Sequence, residues 1–316
     1  MPHLSTRVLQ GLLTLLLTLF GLLLVTFALS AFSPVDRVLQ IVGDHASQST
    51  YDQVRHQLGL DRPLLVQFWH YLQNLAHGDL GTASATGQPV LQDLLHAFPA
   101  TLELATLALI IGAVLGVIAG VLCARYAGSP LDLTIRTLTL LGNSVPIFWL
   151  GLLMLALFYA KLQWSAGPGR LDDIWQFTVE PRTGFALVDT WLSGDREAFR
   201  NALSHLVLPV LLLAYYSLAS ITRLTRSACL SEMNKEYILL ARTKGAGEMT
   251  ILLRHVLPNI RGTLLTVIAL AYTSMLEGAV LTETVFSWPG IGRYLTTALF
   301  AGDTTAVMGG TLLIGV

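Results

Sequence analysis

The sequence predicts an all-helical integral membrane protein, and three observations carry that prediction. Of its 316 residues, 53% are hydrophobic and only 12% are charged, with a mean hydropathy of +0.62, whereas soluble domains carry roughly 25% charged residues. Several apolar runs reach the about 20 residues that a helix needs to cross hydrocarbon. The basic residues, finally, are sorted between the segments that join those runs. The net charge of −1 points neither to an acidic partner nor away from one.

Taken in order, spans are expected at Val8–Phe32, Phe98–Ala124, Ile135–Ala160, His205–Ile221 continuing toward Ser227, Ile260–Leu281, and from Thr304 onward. The first run is longer than the roughly 7–15 apolar residues of a signal sequence, which favours an uncleaved anchor over Ala28-Leu29-Ser30 as a cleavage site. The last run reaches Val316 before it is long enough to cross, so the sequence is expected to stop short of the natural C-terminus and the sixth span to be truncated. The two cysteines, Cys123 and Cys229, fall near span ends and imply no disulfide framework.

With the N-terminus inside, the inner segments collect ten basic residues (Arg7, Arg125, Arg136, Arg223, Arg226, Lys235, Arg242, Lys244, Arg254 and Arg261) against four acidic ones. The outer segments Ala31–Ala97, Lys161–Ser204 and Phe286–Asp303 hold nine basic and thirteen acidic residues. Inner loops carry the Lys/Arg excess, so the N-terminus is expected in the cytoplasm. The first outer segment contains short helical patterns at Tyr51–Leu58 and Leu64–Leu75, broken by glycines. The second is rich in Gly, Pro and Asp and carries Trp164, Trp175 and Trp191, which suit either interfacial anchoring or a docking surface for an external partner.

The most polar long stretch between two spans is Glu236–Asn259. Glu236–Lys244 forms one amphipathic piece, with Tyr237, Leu240 and Ala241 expected on one side. Gly245-Ala246-Gly247 interrupts it, because glycine weakens a helix interior by about 1 kcal/mol relative to alanine and permits a sharp turn. Met249–Leu257 resumes a helix, and Pro258 suits the first turn of the following span, where its missing N–H is not needed. Two readings fit: a short helix offered to a partner, and an amphipathic helix resting on lipid headgroups.

These residues resemble a known family. Ala241, Gly245 and, after nine intervening residues, His255-Val256-Leu257-Pro258 are similar to the EAA loop of ABC importer permeases, with the glycine-to-proline spacing of thirteen kept. Leu239, Leu240 and His255 depart from the generic pattern. Glu236-Tyr237 followed by Ala241-Arg242-x-Lys244-Gly245 resembles the form found in the dipeptide and oligopeptide branch, which is close to the Sap-type peptide permeases. The resemblance extends along the chain: Leu58-Gly59-Leu60-Asp61-Arg62-Pro63, Gly78-Asp79-Leu80-Gly81, Pro99–Leu104, Ser144–Trp149, Thr183–Asp189 and Thr282–Arg293 all look like segments of that branch, in the same order.

The resemblance implies a six-span type I ABC importer permease. Residues 1–97 would form an N-terminal transmembrane helix with a periplasmic segment. Residues 98–316 would form the transmembrane core, with a periplasmic insert at 161–204 and a cytoplasmic coupling loop at 229–258. It further implies a second homologous permease, two ATPase subunits that hold ATP and Mg, and an external substrate-binding protein in the bacterial inner membrane. Glu236, Tyr237, Ala241, Arg242, Lys244, Gly245, Ala246, Leu257 and Pro258 would couple to an ATPase. Short peptides are the expected cargo, with haem, nickel complexes and cationic antimicrobial peptides as the alternatives the family offers. This chain is expected to carry no cofactor, metal ligand or catalytic residue, and to bind lipid but no nucleic acid.

Polar and small residues inside the spans extend the candidates. Glu277 and Glu283 are ionisable groups in or at the edge of an apolar run, where they mark a pathway or a paired site by default. They lie about 240° apart around a helix and cannot share a face. Glu277 is read either as path-lining or as internally hydrogen-bonded, and Glu283 and Glu103 are placed toward the outer interface. Ser144 and Pro146 are gate candidates because a proline bends the third span. Gly112, Gly116 and Gly120 leave a smooth stripe, for a helix of the same chain or of a second subunit.

Two other classes of membrane protein fit the sequence less well. A secondary transporter should show inverted repeats and broken mid-membrane helices, and no convincing repeat is present. An intramembrane enzyme needs a nucleophile–base pair or metal ligands; His205 and His255 lie at opposite ends and no H-E-x-x-H occurs. No phosphate-cradling G-x-x-x-x-G-K-[ST] loop is present either, since the three lysines follow Ala160, Asn234 and Thr243. Energy for transport must therefore come from another chain.

Overall fold

The computed structural model describes residues 2–33, 35–43 and 45–315, and among these the side chains other than those of residues 2–8, Asn143 and Glu277. In chain order the helices are α1 (Pro2–Ala31), α2 (Arg37–Val42), α3 (Gln48–Gln57), α4 (Leu64–Ala76), α5 (Val90–Arg125), α6 (Pro130–Ser144), α7 (Ile147–Met154, continued by π-helical turns Leu155–Lys161), α8 (Asp173–Thr178) and α9 (Ala186–Leu192). They continue with α10 (Arg196–Met233), α11 (Glu236–Thr243), α12 (Glu248–Ile251, continued by π-helical turns Leu252–Val256), α13 (Leu257–Val285), α14 (Ile291–Ala301) and α15 (Thr304–Gly315). Among the described residues no named strand occurs, only an isolated bridge between Thr82 and Pro89.

Four helical segments are long and apolar enough to cross a membrane: Leu9–Ala31, Val90–Arg125, Arg196–Met233 and Glu248–Leu276. A fifth span is obtained if Pro130–Gly142 and Ile147–Lys161, which meet at a 98° bend, count as one. The expected disruption at Pro146 is this break: Pro146 lies outside both helices at φ −58° and ψ 131°, where its ring cannot continue the preceding turn. Helix α10 begins at Arg196 rather than near His205 because Asp195 caps it, accepting from the backbone N–H of Glu197 and Ala198.

The chain divides into two compact units, Met1–Phe98 with Tyr294–Val316, and Pro99–Arg293. The sequence suggested a division at 97/98 alone. The last 23 residues, Tyr294–Val316, group instead with the N-terminal unit, because α15 packs on α1 through small residues. A Cβ on Gly315 would overlap Leu22, and one on Gly309 would reach Val90 at 2.5 Å. In the same unit, Phe27 of α1 packs on Phe68 and Tyr71 of α4 at ring separations of 5.1 and 6.0 Å. Outside the spans, Asp36 caps α2, and the Tyr51 hydroxyl that donates to it at 2.8 Å holds its carboxyl below the ordinary range.

The second unit is built on α5, α10 and α13. Ala100, Leu104 and Ala108 of α5, Leu206, Val210 and Leu213 of α10, Met275 of α13 and Trp288 form one buried cluster. Below it, Ile221, Val267 and Ala271 are joined by Leu109, Ala113 and Val117. The stripe Gly112-Gly116-Gly120 lies on α10. A Cβ on Gly112 would overlap Ser217 Oγ, one on Gly116 would lie 2.9 Å from Ile221 Cβ, and one on Gly120 would lie 2.6 Å from Thr225 Cβ and 2.9 Å from the Thr222 carbonyl. Equal four-residue steps on both helices bring the backbones together. Of the two partners open to the stripe, a helix of the same chain fills that face, where the glycines were also offered as packing between subunits. Gly120→Ala is expected to destabilise the protein by about 1–3 kcal/mol through overpacking against fixed backbone, read as a lower melting temperature in detergent.

Candidate functional site

The stretch Glu236–Pro258 folds as a short helix, a tight turn and a second helical piece that leads directly into α13. Lys235 precedes α11 in extended conformation, which lets the chain reverse after α10. Helix α11 ends in a Schellman arrangement: the N–H of Gly245 donates to Arg242 O at 2.9 Å, and that of Ala246 to Ala241 O at 3.1 Å. Gly245 has φ +84°, a left-handed conformation in which a Cβ is strained. Gly247, at φ −70°, is the extended residue that starts α12.

Inward, this element is held by an apolar cluster of Ile238, Ile251, Leu252, Val256 and Ile260 with Ala124 of α5 and Cys229 of α10, bordered by Ala241, Ala246 and Leu257. The inward face of α11 is thus Ile238 and Ala241, one turn apart. Leu240, expected to share a side with Ala241, is instead exposed, as are Leu239 and Tyr237. The helix is apolar at five consecutive positions from Tyr237 to Ala241, so periodicity alone left the buried side undefined. Met249 and Leu253 are exposed as well.

Polar contacts tie the two pieces together. Arg242 grips Glu248 bidentately across the turn, Nε to Oε1 at 2.8 Å and a terminal nitrogen to Oε2 at 3.2 Å, and this carboxylate raises the Arg242 pKa. The Tyr237 hydroxyl donates to Glu232 Oε1 at 2.6 Å and accepts from Asn259 Nδ2 at 2.9 Å. Partial burial, then the Glu232 carboxylate, push the phenol above its ordinary value and keep it a neutral donor. Lys235 Nζ pairs with the other Glu232 oxygen at 2.8 Å. Of the residues singled out in this stretch, Glu236, Lys244 and Pro258 are exposed, while Ala241, Ala246 and Leu257 are half-buried. All nine come together in one element. Glu232, Ile238 and Glu248 were not among them, although each is part of what holds it.

The polar candidates of the spans disperse. Ser144 Oγ bonds Leu140 O of its own helix at 3.0 Å, and Pro146 is exposed at the break. The Glu277 side chain lies outside the described residues. Glu283 is fully buried within the chain. Its Oε1 accepts from Thr101 Oγ1 at 2.7 Å, and its Oε2 from the N–H of Gly292 at 2.7 Å and of Arg293 at 3.2 Å. Thr101 Oγ1 accepts in turn from Ile291 N at 2.9 Å, and Trp288 Nε1 donates to Ala100 O at 2.9 Å. Glu103 is buried in a similar role. It accepts from the N–H of Ala186 at 3.2 Å and of Leu187 at 2.8 Å and pairs with Arg170 at 2.6 Å, so the 161–204 insert is pinned to α5. Both carboxylates cap the start of a helix whose own sequence supplies no cap.

Comparison with known proteins places this geometry. The family model described as binding-protein-dependent transport system inner membrane component matches residues 112–316, and the model of its N-terminal part matches residues 4–105. The chain is 45% identical over 300 residues to the probable D,D-dipeptide transport system permease protein DdpB of Escherichia coli (strain K12), covering 95% of this chain and 88% of that one. It is 42% identical over 298 residues to the di/tripeptide transport system permease protein DppB of Pseudomonas aeruginosa (strain UCBPP-PA14), covering 94% and 88%. The peptide transport system permease protein SapB of Salmonella typhimurium is 36% identical over 315 residues, covering 97% and 89%. Among solved structures, the inward-facing MetNI methionine ABC transporter shares the fold, with a TM-score of 0.52 and 17% identity over 70% of this chain and 87% of that one.

Proposed function

Because this chain belongs to the family of binding-protein-dependent transport system inner membrane components and is therefore a transport permease subunit rather than an enzyme, we propose that it helps to import dipeptides or other short peptides across the bacterial inner membrane. It has the type I ABC importer permease fold and works with ATPase and substrate-binding components. The finer assembly proposed is one copy of this chain, a homologous second permease and two ATPases that bind ATP and Mg, with the N-terminus of this chain in the cytoplasm. The cargo reading is supported by relatives named for D,D-dipeptides, di/tripeptides and peptides.

One observation carries the mechanism: α11 is welded to the bundle through Ile238, Ile251 and Val256, yet leaves Leu239 and Leu240 facing outward. An exposed apolar pair on a rigid helix suits a groove in an ATPase. Closure of the two ATPases would push α11, and the continuous path from α12 into α13 would turn that push into a tilt of the spans. ATP binding thereby favours one of two states through contacts made only in that state. Purification of the tagged chain in mild detergent from its native membrane should bring down a second permease and ATPases carrying phosphate-binding loops, and vesicles holding the assembly should take up labelled dipeptide when given ATP and the binding protein. A chain that purifies alone under conditions that preserve related complexes would favour a self-contained secondary transporter.

A further inference from the structure

A groove of about 290 Å³ opens between α10 and α13, lined by Tyr216, Ser220 and Arg223 on one side and Leu270 and Ser274 on the other. Positions 216, 220 and 223 fall on one stripe of α10, and 270 and 274 on one stripe of α13. Val267 and Ala271 form the floor of the groove and pack with Ile221. Four hydroxyls, those of Tyr216, Ser217, Ser220 and Ser274, and one guanidinium line it on two spanning helices.

Arg223 is exposed and, among the described residues, has no hydrogen-bond or ion-pair partner. Arg226, one turn further, is gripped by Asp132 with both contacts at 2.8 Å. Arg223 lies at the inner end of the fourth span, just past Ile221, and ten residues before α10 ends at Met233, about 15 Å along the axis. A cation on a spanning helix is costly against hydrocarbon and faces a bundle interior or a water-filled cavity, unless its stem carries it to the headgroups. The serine hydroxyls of the α10 wall already donate to their own helix, Ser217 Oγ to Ala214 O and Ser220 Oγ to Ser217 O, both at 3.0 Å, so it is the unpaired guanidinium that favours water over lipid here.

We propose that this groove is a wall of the translocation path and that Arg223 receives the carboxylate of the peptide cargo. The inference rests on the peptide-import reading. Guanidinium and carboxylate pair through two parallel hydrogen bonds. Every unblocked peptide carries a terminal carboxylate whatever its side chains, so one arginine serves cargoes of varied sequence. The neighbouring hydroxyls satisfy peptide amides without adding fixed charge, which keeps the site weak enough to release what it binds.

The test uses the complete assembly in liposomes, with Ser220→Cys, Ser274→Cys and Arg223→Cys introduced singly; the native Cys123 and Cys229 are buried. Water-soluble methanethiosulfonates should label all three positions. Arg223→Cys should lower uptake of labelled alanyl-alanine at least tenfold; a trimethylammonium-ethyl adduct at that cysteine should recover more than half of it, and a sulfonato-ethyl adduct none. A misfolded variant would not recover. Failure of Ser220→Cys and Ser274→Cys to label would overturn the wall, and equal uptake with the two adducts would overturn the carboxylate contact and leave Arg223 among the headgroups. If the unsubstituted assembly moves no short peptide, the peptide reading itself fails and the carboxylate assignment with it, while labelling of the two serine positions still decides whether the groove is wet.

Discussion

Gly245→Pro is expected to abolish uptake while leaving the chain inserted and assembled in the membrane. Gly245 sits at φ +84° and its N–H donates to Arg242 O at 2.9 Å. Proline holds φ near −65° and has no N–H, so it removes both the turn and the bond. It also disfavours the near-helical backbone of Lys244, at φ −80° and ψ 4°. With the turn lost, Ala246 cannot close on Ala241, Arg242 no longer faces Glu248, and α11 is released from α12. The spans are untouched, because the clusters that join α5, α10 and α13 lie elsewhere. Gly245→Ala provides a graded control. Nothing lies within 4 Å of the added Cβ, so the substitution meets only the left-handed backbone strain of about 1–2 kcal/mol and should leave partial uptake. Uptake and the amount of chain in the membrane fraction are measured together; normal uptake by the proline variant would remove α11 from the coupling mechanism.

What was legible in the sequence follows from how local each signal is. The Gly-Ala-Gly interruption, Pro258 and the four-residue glycine stripe act on their own helices, and the structure shows a turn, a helix start and a close approach at those places. The partner of the stripe could not be read, because small residues fit any helix and the match to Ser217, Ile221 and Thr225 appears only when α5 and α10 are side by side. The early start of α10 had a readable cap in Asp195, hidden because the span was placed by hydropathy and the first turns are polar. Glu103 and Glu283 were the hardest. Each carboxylate was visible near an apolar run, but Ala186 lies 83 residues from Glu103 and Thr101 lies 182 from Glu283, while Gly292 and Arg293, 9 and 10 residues from Glu283, reach it only because the chain folds back after α13. A lone acid beside a span therefore read as an interface or path residue, although its contacts here finish the ends of other helices.

That distinction gives the second large effect: Glu283→Ala should destabilise the protein by about 3–5 kcal/mol through the loss of buried hydrogen bonds, and its transport defect should follow the loss of folded protein. Truncation leaves three donors, Thr101 Oγ1 and the N–H groups of Gly292 and Arg293, without their buried acceptor, and each such orphan costs about 1–3 kcal/mol. Neighbouring glycines show how closely the carboxylate is enclosed: a Cβ on Gly290 would overlap it, and one on Gly292 would overlap Val280 Cα. The void cannot close by local collapse, because Trp288 is anchored to Ala100 O and its own N–H to Glu283 O at 2.8 Å. Glu283→Gln keeps one acceptor oxygen and nearly the same volume but turns an amide toward the remaining donors, so it should lose about half as much. The melting temperature in detergent and uptake per folded molecule separate the two roles. A carboxylate that closes the fold gives the order wild type, Gln, Ala in melting temperature, with uptake per folded molecule nearly constant. A carboxylate on the path would instead leave melting unchanged and lose uptake in both variants, and that outcome would return Glu283 to the route of the cargo.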